Sequence, residues 1–309
     1  MTGFVNTMHL VSVCVITYNS SKTIIETLES IFAQTYPNIE LVISDDCSTD
    51  ETVPKCKEWL NKFGSRFAKT ILVERSENGG LPKNLNSGIR ASSGEWIKTI
   101  AGDDILLPNC IQDNVDFVSK TPEAQIVFSK LQYFTVVDGK NVLMDSFRPE
   151  DRHKYIYSLS AEKQHEIMME NFDISWTTLF ASRALALDNP YPEEYPYFED
   201  YPQALRLTGK GIKFYYFDKL TVLYRRSVSL AHAPTDTYLS VRFHDSVMRF
   251  FQMEYIGMVQ TMHPELVEKL RKELCLGEVA ILAFNNRKSL ISRAVLFLLK
   301  KKLKVEKAK

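Results

Sequence analysis

The chain is short of cysteine, of net charge and of long hydrophobic runs, and each shortage excludes a class of protein. Its 309 residues include five cysteines, an odd number with no C-x-x-C spacing, which argues against both a disulfide framework and a zinc site. Lysine plus arginine and aspartate plus glutamate both number 38, so no bulk attraction to nucleic acid is implied. No apolar run is long enough to cross a membrane, and no basic segment precedes one near the start. We therefore expect a cytoplasmic protein that binds no nucleic acid.

Two common nucleotide-binding motifs are also missing. The first predicted strand is not followed by G-x-G-x-x-G, and the chain contains no G-x-x-x-x-G-K-[ST], so neither a dinucleotide site nor a P-loop for a triphosphate is supported. Internal repeats and low-complexity linkers are absent as well. With 45% hydrophobic and 25% charged residues, the chain is long enough for one large domain or for one domain with an appendage.

The first third of the chain alternates between apolar runs and amphipathic segments. Predicted strands cover residues 10–17, 39–44, 70–74 and 97–101. The segments between them have helical spacing: Ser20 or Ser21 is expected to cap the first helix, residues 51–63 form the second, and Pro82 begins the third. This alternation predicts an α/β fold with a mostly parallel, doubly wound (Rossmann-like) sheet and right-handed crossovers.

The alternation becomes less regular after Pro108. Further strands are predicted at residues 125–134, 176–181, 213–217 and 221–224, with a mixed, partly helical stretch at 145–175. From Thr237 onward, helical periods predict an appendage rather than more sheet. We accordingly divide the chain into a domain of residues 8–232, with halves 8–135 and 136–232, and a C-terminal helical region of residues 233–309.

Polar side chains end three of the predicted strands. These ends are Thr17-Tyr18-Asn19, Asp45-Asp46 and Asp103-Asp104. Ligands of open α/β sheets bind beyond the carboxyl ends of the strands, and paired carboxylates suit a divalent metal that carries a phosphate. Asp46 can accept a hydrogen bond from a pyrimidine N–H while Tyr18 contacts its ring, and Asp104 can ligate a metal that bridges two phosphates. The structural alternative for each end is an Asx-turn or a helix cap, but three unrelated caps in one crevice are improbable.

An ordered set of motifs gives the sequence a family resemblance over residues 10–230. The motifs are Ser12-Val13-Cys14-Val15-Ile16-Thr17-Tyr18-Asn19, Gln34-Thr35-Tyr36, Asp45-Asp46-Cys47-Ser48-Thr49-Asp50, Asn78-Gly79-Gly80-Leu81, Asn86-Ser87-Gly88 and Gly102-Asp103-Asp104. Together they resemble the signatures of the family 2 inverting glycosyltransferases. The resemblance implies a GT-A fold and a nucleoside-diphosphate sugar donor, usually with Mn²⁺ or Mg²⁺, and it makes residues 8–135 the donor half and 136–232 the acceptor half.

The resemblance also implies roles for single residues. Thr17, Tyr18, Asn19 and Asp46 would bind the nucleotide, with Lys83 as a further contact; Asp103 would lie near the ribose or the metal, and Asp104 would be the metal ligand. The motif departs from many family members at Gly102, where they have a third carboxylate.

A second acidic pair, Glu199-Asp200, resembles the family's Glu-Asp pair, whose aspartate is the usual catalytic base. Inversion needs a carboxylate that takes a proton from the acceptor hydroxyl; the alternative is an acidic pair that complements a helix dipole. Arg225 and Arg226 could neutralise a diphosphate or simply end a surface strand. His232 could reach the metal or the diphosphate, or have a structural role.

The expected function is transfer of one sugar, with inversion, from a nucleotide donor to a hydroxyl of a saccharide or a lipid-linked oligosaccharide. A UDP-hexose is the expected donor, and cell-surface polysaccharide of the O-antigen or capsule type is the expected product. The alternatives are a catalytically silent nucleotide-sugar-binding module and a nucleotidyltransferase. Residues 300–309 carry six lysines against one glutamate, which predicts either peripheral contact with the anionic inner face of the membrane or a solvated tail.

Overall fold

The computed structural model describes residues 8–170, 174–226, 240–259, 264–284, 295, 296 and 299. These residues form two compact units: one runs up to Tyr191 and resumes at Gln203–Arg226, and the other comprises Pro192–Pro202 and the residues after Arg226. The predicted domain boundary between residues 232 and 233 lies outside the described residues and stays a prediction.

The first four strands of the first unit form a parallel sheet in the order β3-β2-β1-β4. They are β1 (Val11–Thr17), β2 (Ile39–Asp45), β3 (Lys69–Glu74) and β4 (Trp96–Ala101), connected by α1 (Ile24–Phe32), α2 (Thr52–Phe63) and α3 (Leu81–Ala91). All residues of β1 and β2 are buried, as their almost continuous apolar sequence requires in a sheet covered on both faces.

The rest of this sheet is mixed in direction. After β4 the strand order continues β8-β6-β9-β5, with β7 paired to β6 as a hairpin. The elements are β5 (Ile105–Leu106), α4 (Cys110–Lys120), β6 (Ile126–Val137), β7 (Lys140–Arg148), α5 (Ala161–Glu170), β8 (Phe180–Ser182), α6 (Arg183–Asp188), α7 (Asp200–Gly209) and β9 (Tyr215–Arg225), with 3₁₀ helices at Gly64–Arg66, Asp151–Ser158 and Trp176–Thr178. Among these described strands, only β6 and β9 pair in parallel.

Both faces of the parallel sheet are covered by helices. Apolar residues of α1, α2 and α4 pack with alternate residues of the strands in one core. On α3, Gly88 approaches β1 so closely that a Cβ atom would lie 2.3 Å from the Cys14 Sγ. Only glycine fits this contact, which lets α3 lie directly on the sheet.

A fully buried lysine lies within the sheet. The Nζ of Lys98, on β4, donates to the carbonyl oxygens of Thr177 (2.6 Å), Thr99 (3.1 Å) and Leu179 (3.2 Å). Burial lowers the pKa of Lys98 to about 8, against the opposing influence of Cys110 and Asp104. The ammonium group therefore connects β4 to the turn that precedes β8.

Three local predictions differ from the structure. Neither Ser20 nor Ser21 caps α1, which begins at Ile24, because the Ser20 carbonyl accepts from the Ile24 N–H in a preceding turn. Trp176–Thr178 is a 3₁₀ helix rather than the start of a strand. The two strands predicted at 213–224 are one strand, β9, whose register against β6 shifts in the middle.

In the second unit, the described residues from Val241 onward are helical, as the periods after Thr237 predict. This unit contains α8 (Val241–Phe250), a π-helical turn (Phe251–Tyr255), α9 (Ile256–Val259) and α10 (Pro264–Phe284). Phe250 contacts the rings of Tyr195, Phe198 and Tyr201 at centroid distances of 5.5 to 5.8 Å. Across the described part of the chain, no helix combines the length and apolar character required to pass through a bilayer. The basic tail at residues 300–309 lies outside the described residues.

Candidate active site

The loops that follow β1 and β2 are connected by hydrogen bonds. Asn19, at a positive φ of 51°, accepts from the Thr49 N–H (2.9 Å) and donates its own backbone N–H to the Ser48 hydroxyl (2.8 Å). Asp45 accepts from the Ser48 N–H (2.8 Å). Asp45 therefore makes the local side-chain-to-backbone bond that is the structural alternative to a ligand-binding role. Asn19 shapes the same loop. A direct contact of Asn19 with nucleotide stays a prediction.

Tyr18 and Thr17 are free to meet a ligand in different ways. Tyr18 is 48% exposed, and its ring has no stacking partner among the described residues, so a nucleobase could stack on it. The Oγ1 of Thr17 is buried without a hydrogen-bond partner in the described part of the chain. A buried hydroxyl in that state costs free energy unless a ligand or water completes it.

Asp46 organises the neighbouring loop. Its Oδ1 accepts from the Arg75 Nε (2.8 Å) and the Gly79 N–H (2.9 Å), and its Oδ2 accepts from the Gly80 N–H (2.8 Å). A carboxylate offers about four acceptor positions, so one remains on Oδ2 for a donor such as a pyrimidine N–H. The predicted role of Asp46 is compatible with this geometry but is not tested by it.

Arg75 is a site residue that the sequence prediction missed. Its guanidinium donates to the Ser87 hydroxyl (2.6 Å) as well as to Asp46. A Cβ atom on Gly79 would lie 2.5 Å from the Arg75 Nη2. The Lys83 side chain borders the same glycine, at 2.8 Å from that Cβ position. The charge of Arg75 is offset by its ion pair with Asp46, and Lys83 adds a further positive charge at the carboxyl edge of the sheet, which favours an anionic ligand. Arg75 directly follows β3, and this position at the strand end was the available signal.

Asp104 is buried and its carboxylate is incompletely bonded, and the adjacent Asp103 is half-buried. Asp104 is 1% exposed; its Oδ1 accepts from the Arg225 N–H (2.8 Å), whereas its Oδ2 has no partner within the described chain. Burial raises the pKa of Asp103 and, together with the charge of Asp103, raises that of Asp104 well above its usual range. The charge of Arg225 opposes both of these pKa shifts and that of Lys98 opposes the shift of Asp104, and a bound cation would act in the same direction.

A divalent metal fits this donor set. Asp104 Oδ2 is a hard, buried oxygen without a partner, and Asp103 is the adjacent carboxylate, so these two residues would hold the ion. The described residues contain no group of three or more His, Cys, Asp or Glu side chains suited to a metal. Phosphate oxygens or water would therefore complete the coordination.

Gly102 lies against the neighbouring strand end. A Cβ at this position would come within 3.0 Å of the Thr17 Oγ1 and 3.3 Å of the Ile24 Cδ1. A third carboxylate here would therefore press on Thr17, which gives a physical reason for the departure of this motif from many family members.

The predicted basic contacts differ in their surroundings. Arg225 is 9% exposed, and its guanidinium forms an ion pair with Glu26 and lies 4.5 Å from the centre of the Phe134 ring. These contacts give Arg225 a structural role and lend no support to the predicted diphosphate contact. Arg226 is exposed and lies over the Tyr133 ring at 5.0 Å. His232 lies outside the described residues.

Glu199 and Asp200 belong to the second unit, where their carboxyl groups are hydrogen-bonded to each other. Burial raises the pKa of Asp200 to about 7, and burial with the charge of Asp200 raises that of Glu199 well above its usual range. Two adjacent carboxyl groups that resist ionisation hold a proton at neutral pH, so the pair has a pKa suited to proton transfer there.

A parallel sheet with carboxylates and cations at its carboxyl edge is typical of α/β proteins that bind ligands at that edge. Residues 12–183, more than half of the chain, match the family model described as "Glycosyl transferase family 2". The chain therefore belongs to glycosyl transferase family 2, and the family predicted from the motifs is confirmed.

Relatives support the same class. WfaP of Escherichia coli, a UDP-Glc:alpha-D-GlcNAc-diphosphoundecaprenol beta-1,3-glucosyltransferase, is 27% identical over 208 residues, or 67% of this chain and 73% of WfaP. TarS of Staphylococcus aureus, a poly(ribitol-phosphate) beta-N-acetylglucosaminyltransferase, is 28% identical over 307 residues, or 94% of this chain and 46% of TarS. The chain thus spans less than half of several curated relatives that it matches.

Solved structures share the fold. TarS 1-349 in complex with UDP-GlcNAc aligns with a TM-score of 0.56 at 20% identity, covering 95% of this chain and 80% of that one. The mannosyltransferase PcManGT from Pyrobaculum calidifontis, in complex with GDP-Man and Mn²⁺, aligns with a TM-score of 0.54 at 19% identity, covering 98% and 82%. The predicted fold class, GT-A with a helical C-terminal region, is confirmed.

Proposed function

We propose that this chain transfers a hexose, with inversion, from a UDP-hexose to a hydroxyl of a saccharide or lipid-linked oligosaccharide acceptor in the synthesis of cell-surface polysaccharide. The observation that carries the proposal is two buried oxygens that have no partner in the described part of the chain: Thr17 Oγ1 at the end of β1 and Asp104 Oδ2 just after the turn that follows the adjacent parallel strand β4. The free-energy cost of desolvating these two oxygens is offset when a ligand and its metal bind there. The UDP-GlcNAc complex of TarS and the donor in the name of WfaP support UDP as the nucleotide.

The donor would be bound by residues of the first unit. The exposed ring of Tyr18 stacks on the base, and the remaining lone pair of Asp46 accepts its N–H. Lys83 would supply positive charge for acceptor oxygens of the nucleotide, with the guanidinium of Arg75 as a further hydrogen-bond donor. Asp104 and Asp103 would hold Mn²⁺ or Mg²⁺, which when bound offsets charge on the departing diphosphate; the Mn²⁺ in the PcManGT complex supports this cofactor.

Asp200 would take the proton of the attacking hydroxyl. Its pKa of about 7 leaves a substantial fraction ionised near neutral pH while keeping the group basic enough to accept a proton. Glu199 shares a hydrogen bond with Asp200 and would orient it. In the Pro- and Tyr-rich loop before the pair, Tyr191 and Tyr195 are buried, so the half-buried Tyr197 is the ring that could offer aromatic surface to an acceptor sugar.

The experiment is a donor screen over UDP- and GDP-sugars with Mn²⁺ or Mg²⁺, with release of nucleoside diphosphate as the readout. We expect release from a UDP-hexose, loss of nearly all turnover in Asp104→Ala, and unchanged turnover in the control Asp113→Asn. NMR of the transferred sugar should show an inverted anomeric carbon. Binding of UDP-sugars without turnover on any acceptor would favour the silent module, and pyrophosphate release would favour a nucleotidyltransferase.

Peripheral attachment to the cytoplasmic face of the membrane is a separate part of the proposal. It rests on the lysines of residues 300–309, each of which contributes about 1 kcal/mol near anionic lipid. We expect full-length protein to sediment with anionic liposomes and a version without residues 296–309 to remain in solution. Equal sedimentation of the two would exclude the tail as the anchor.

A further inference from the structure

The turn that carries the acidic pair is held by side chains from distant parts of the chain. All three carbonyl oxygens of residues 102–104 accept such a bond: Thr23 donates to the first, the Arg225 Nε to the second and Thr27 to the third, each at 2.8 Å. Thr27 lies on α1, Thr23 immediately precedes that helix, and Arg225 lies at the end of β9. The three carbonyl oxygens of the turn are therefore all satisfied, whereas the Asp104 Oδ2 is not.

Arg225 is itself restrained from several sides. Its guanidinium lies 4.5 Å from the centre of the Phe134 ring and forms an ion pair with Glu26 of α1. The backbone N–H of Arg225 donates to the Asp104 Oδ1 at 2.8 Å. Glu26 also accepts from the side chain of Asn141 on β7. One residue thus holds both the Asp103 carbonyl and one oxygen of the Asp104 carboxylate, and Glu26 fixes that residue.

We propose that Glu26 and Arg225 are positioning residues that orient the Asp104 carboxylate for a metal-bound nucleotide; the inference rests on the proposed function. The bond to Oδ1 occupies one oxygen of the carboxylate and leaves Oδ2 as the oxygen presented to the ligand. Without the charge of Glu26, the guanidinium would be buried without its counter-ion. It would then leave the Asp103 carbonyl, and the turn would lose its fixed geometry.

Two conservative variants distinguish a role for the charge of Arg225 alone from a role in positioning the turn. Arg225→Lys keeps the positive charge beside Glu26 but lacks the planar fork that donates from Nε to the Asp103 carbonyl. If only charge matters, this variant binds metal and nucleotide as the wild type does. If positioning matters, it binds them more weakly although the net charge is unchanged. Glu26→Gln keeps the shape of the side chain and its contact with Asn141 but removes the partner of Arg225.

The chain offers a matched control on the same strand. Lys219, also on β9, forms an ion pair with Asp113 of α4 at 2.6 Å. Asp113→Asn therefore removes an ion pair between β9 and a helix of the same unit without touching the Asp103-Asp104 turn. It reports how much of any effect comes from loosening β9 in general.

The experiment measures Mn²⁺ affinity in the presence of UDP by calorimetry, together with Tm, for the wild type, Glu26→Gln, Arg225→Lys and Asp113→Asn. Loss of a residue that orients a metal ligand typically weakens metal binding about 10- to 100-fold. We expect a loss of that order in Glu26→Gln and Arg225→Lys and an affinity in Asp113→Asn equal to that of the wild type.

Three outcomes would overturn the inference. Wild-type affinity in both variants, with a lowered Tm, would leave the pair a purely structural role. Wild-type affinity in Arg225→Lys alone would show that charge rather than positioning matters. Wild-type protein that binds neither Mn²⁺ nor UDP would overturn the proposed function and the inference with it, so the two failures are distinguishable.

Discussion

The buried Lys98 should make the free energy of unfolding rise with pH in the alkaline range, by an amount that its pKa determines. Burial lowers the pKa of its ammonium from 10.5 to about 8. Below about pH 8 the lysine is charged in both the folded and the unfolded state, and the desolvation cost is fully present. Between the two pKa values the unfolded state binds more protons, so the free energy of unfolding rises with pH. A group with these pKa values contributes about 2 kcal/mol of added stability between about pH 7 and pH 9.5.

The variant Lys98→Met isolates this contribution. It removes the titration and three hydrogen bonds, and the lost bonds change stability by an amount that does not vary with pH. The difference in unfolding free energy, wild type minus variant, should therefore rise by about 2 kcal/mol over the same pH interval. Buried thiols with raised pKa values, such as Cys14 and Cys56, lower stability at high pH in both proteins and cancel in the difference.

Urea unfolding followed by tryptophan fluorescence is the assay. Trp96 lies two residues from Lys98 and stacks on Phe180 of β8 at 5.1 Å, so its emission reports on this part of the sheet. The surface variant Lys57→Met controls for the loss of a lysine side chain. A wild-type minus Lys98→Met difference that stays constant across the pH range would refute the reasoning, because it would mean that the Lys98 ammonium is not desolvated.

Three further predictions test the catalytic pair, the helix contact and the nucleotide edge. Because the pKa of Asp200 is about 7, the wild-type transfer rate should rise with pH and level off above that value. In Asp200→Asn the transfer rate should fall about 10²- to 10⁴-fold and no longer vary with pH, while UDP affinity is unchanged. A variant that keeps the pH profile would contradict this. Gly88→Ala places a Cβ 2.3 Å from the Cys14 Sγ and should destabilise by about 1–3 kcal/mol, and Cys14→Ala should recover part of that loss in urea unfolding; purely additive effects would count against the contact. Arg75→Lys cannot donate to Asp46 and Ser87 together, so calorimetry should show UDP affinity reduced about tenfold, and an unchanged affinity would remove Arg75 from the site.

Local sequence signals predicted the parallel half of the fold well, and the mixed half less well. In the first four strands, each element has its own apolar run and its own turn residues, so no distant contact is needed to recognise it. β5 is two residues long and α6 six, which is too short for a periodicity. β7 mixes polar and apolar residues with most of its side chains exposed, because it is stabilised by pairing with β6 rather than by burial.

The residues of the candidate site likewise divide into those that local sequence signals predicted and those that they did not. Asp103 and Asp104 are adjacent in the sequence and end a recognisable strand, so their proximity to the sheet edge was predictable. Arg75 acts on Asp46 across 29 residues, and Glu26 acts on Arg225 across 199. No local pattern identifies such partners, since an isolated arginine or glutamate on a helix or strand end is ordinary. The acidic residues could be predicted; the residues that orient them required the fold.

The bonding of the turn at residues 102–104 has a consequence for how the protein is made. Its three side-chain donors are separated from the carbonyls they reach by 77 to 122 residues, and the one nearest the end of the chain, Arg225, comes last from the ribosome. A nascent chain that has emerged only as far as α7 already contains both aspartates but leaves the Asp103 carbonyl without its partner. We therefore expect nucleotide affinity to be acquired late in synthesis, when β9 joins the sheet, and truncated translation products to neither capture donor nor consume it.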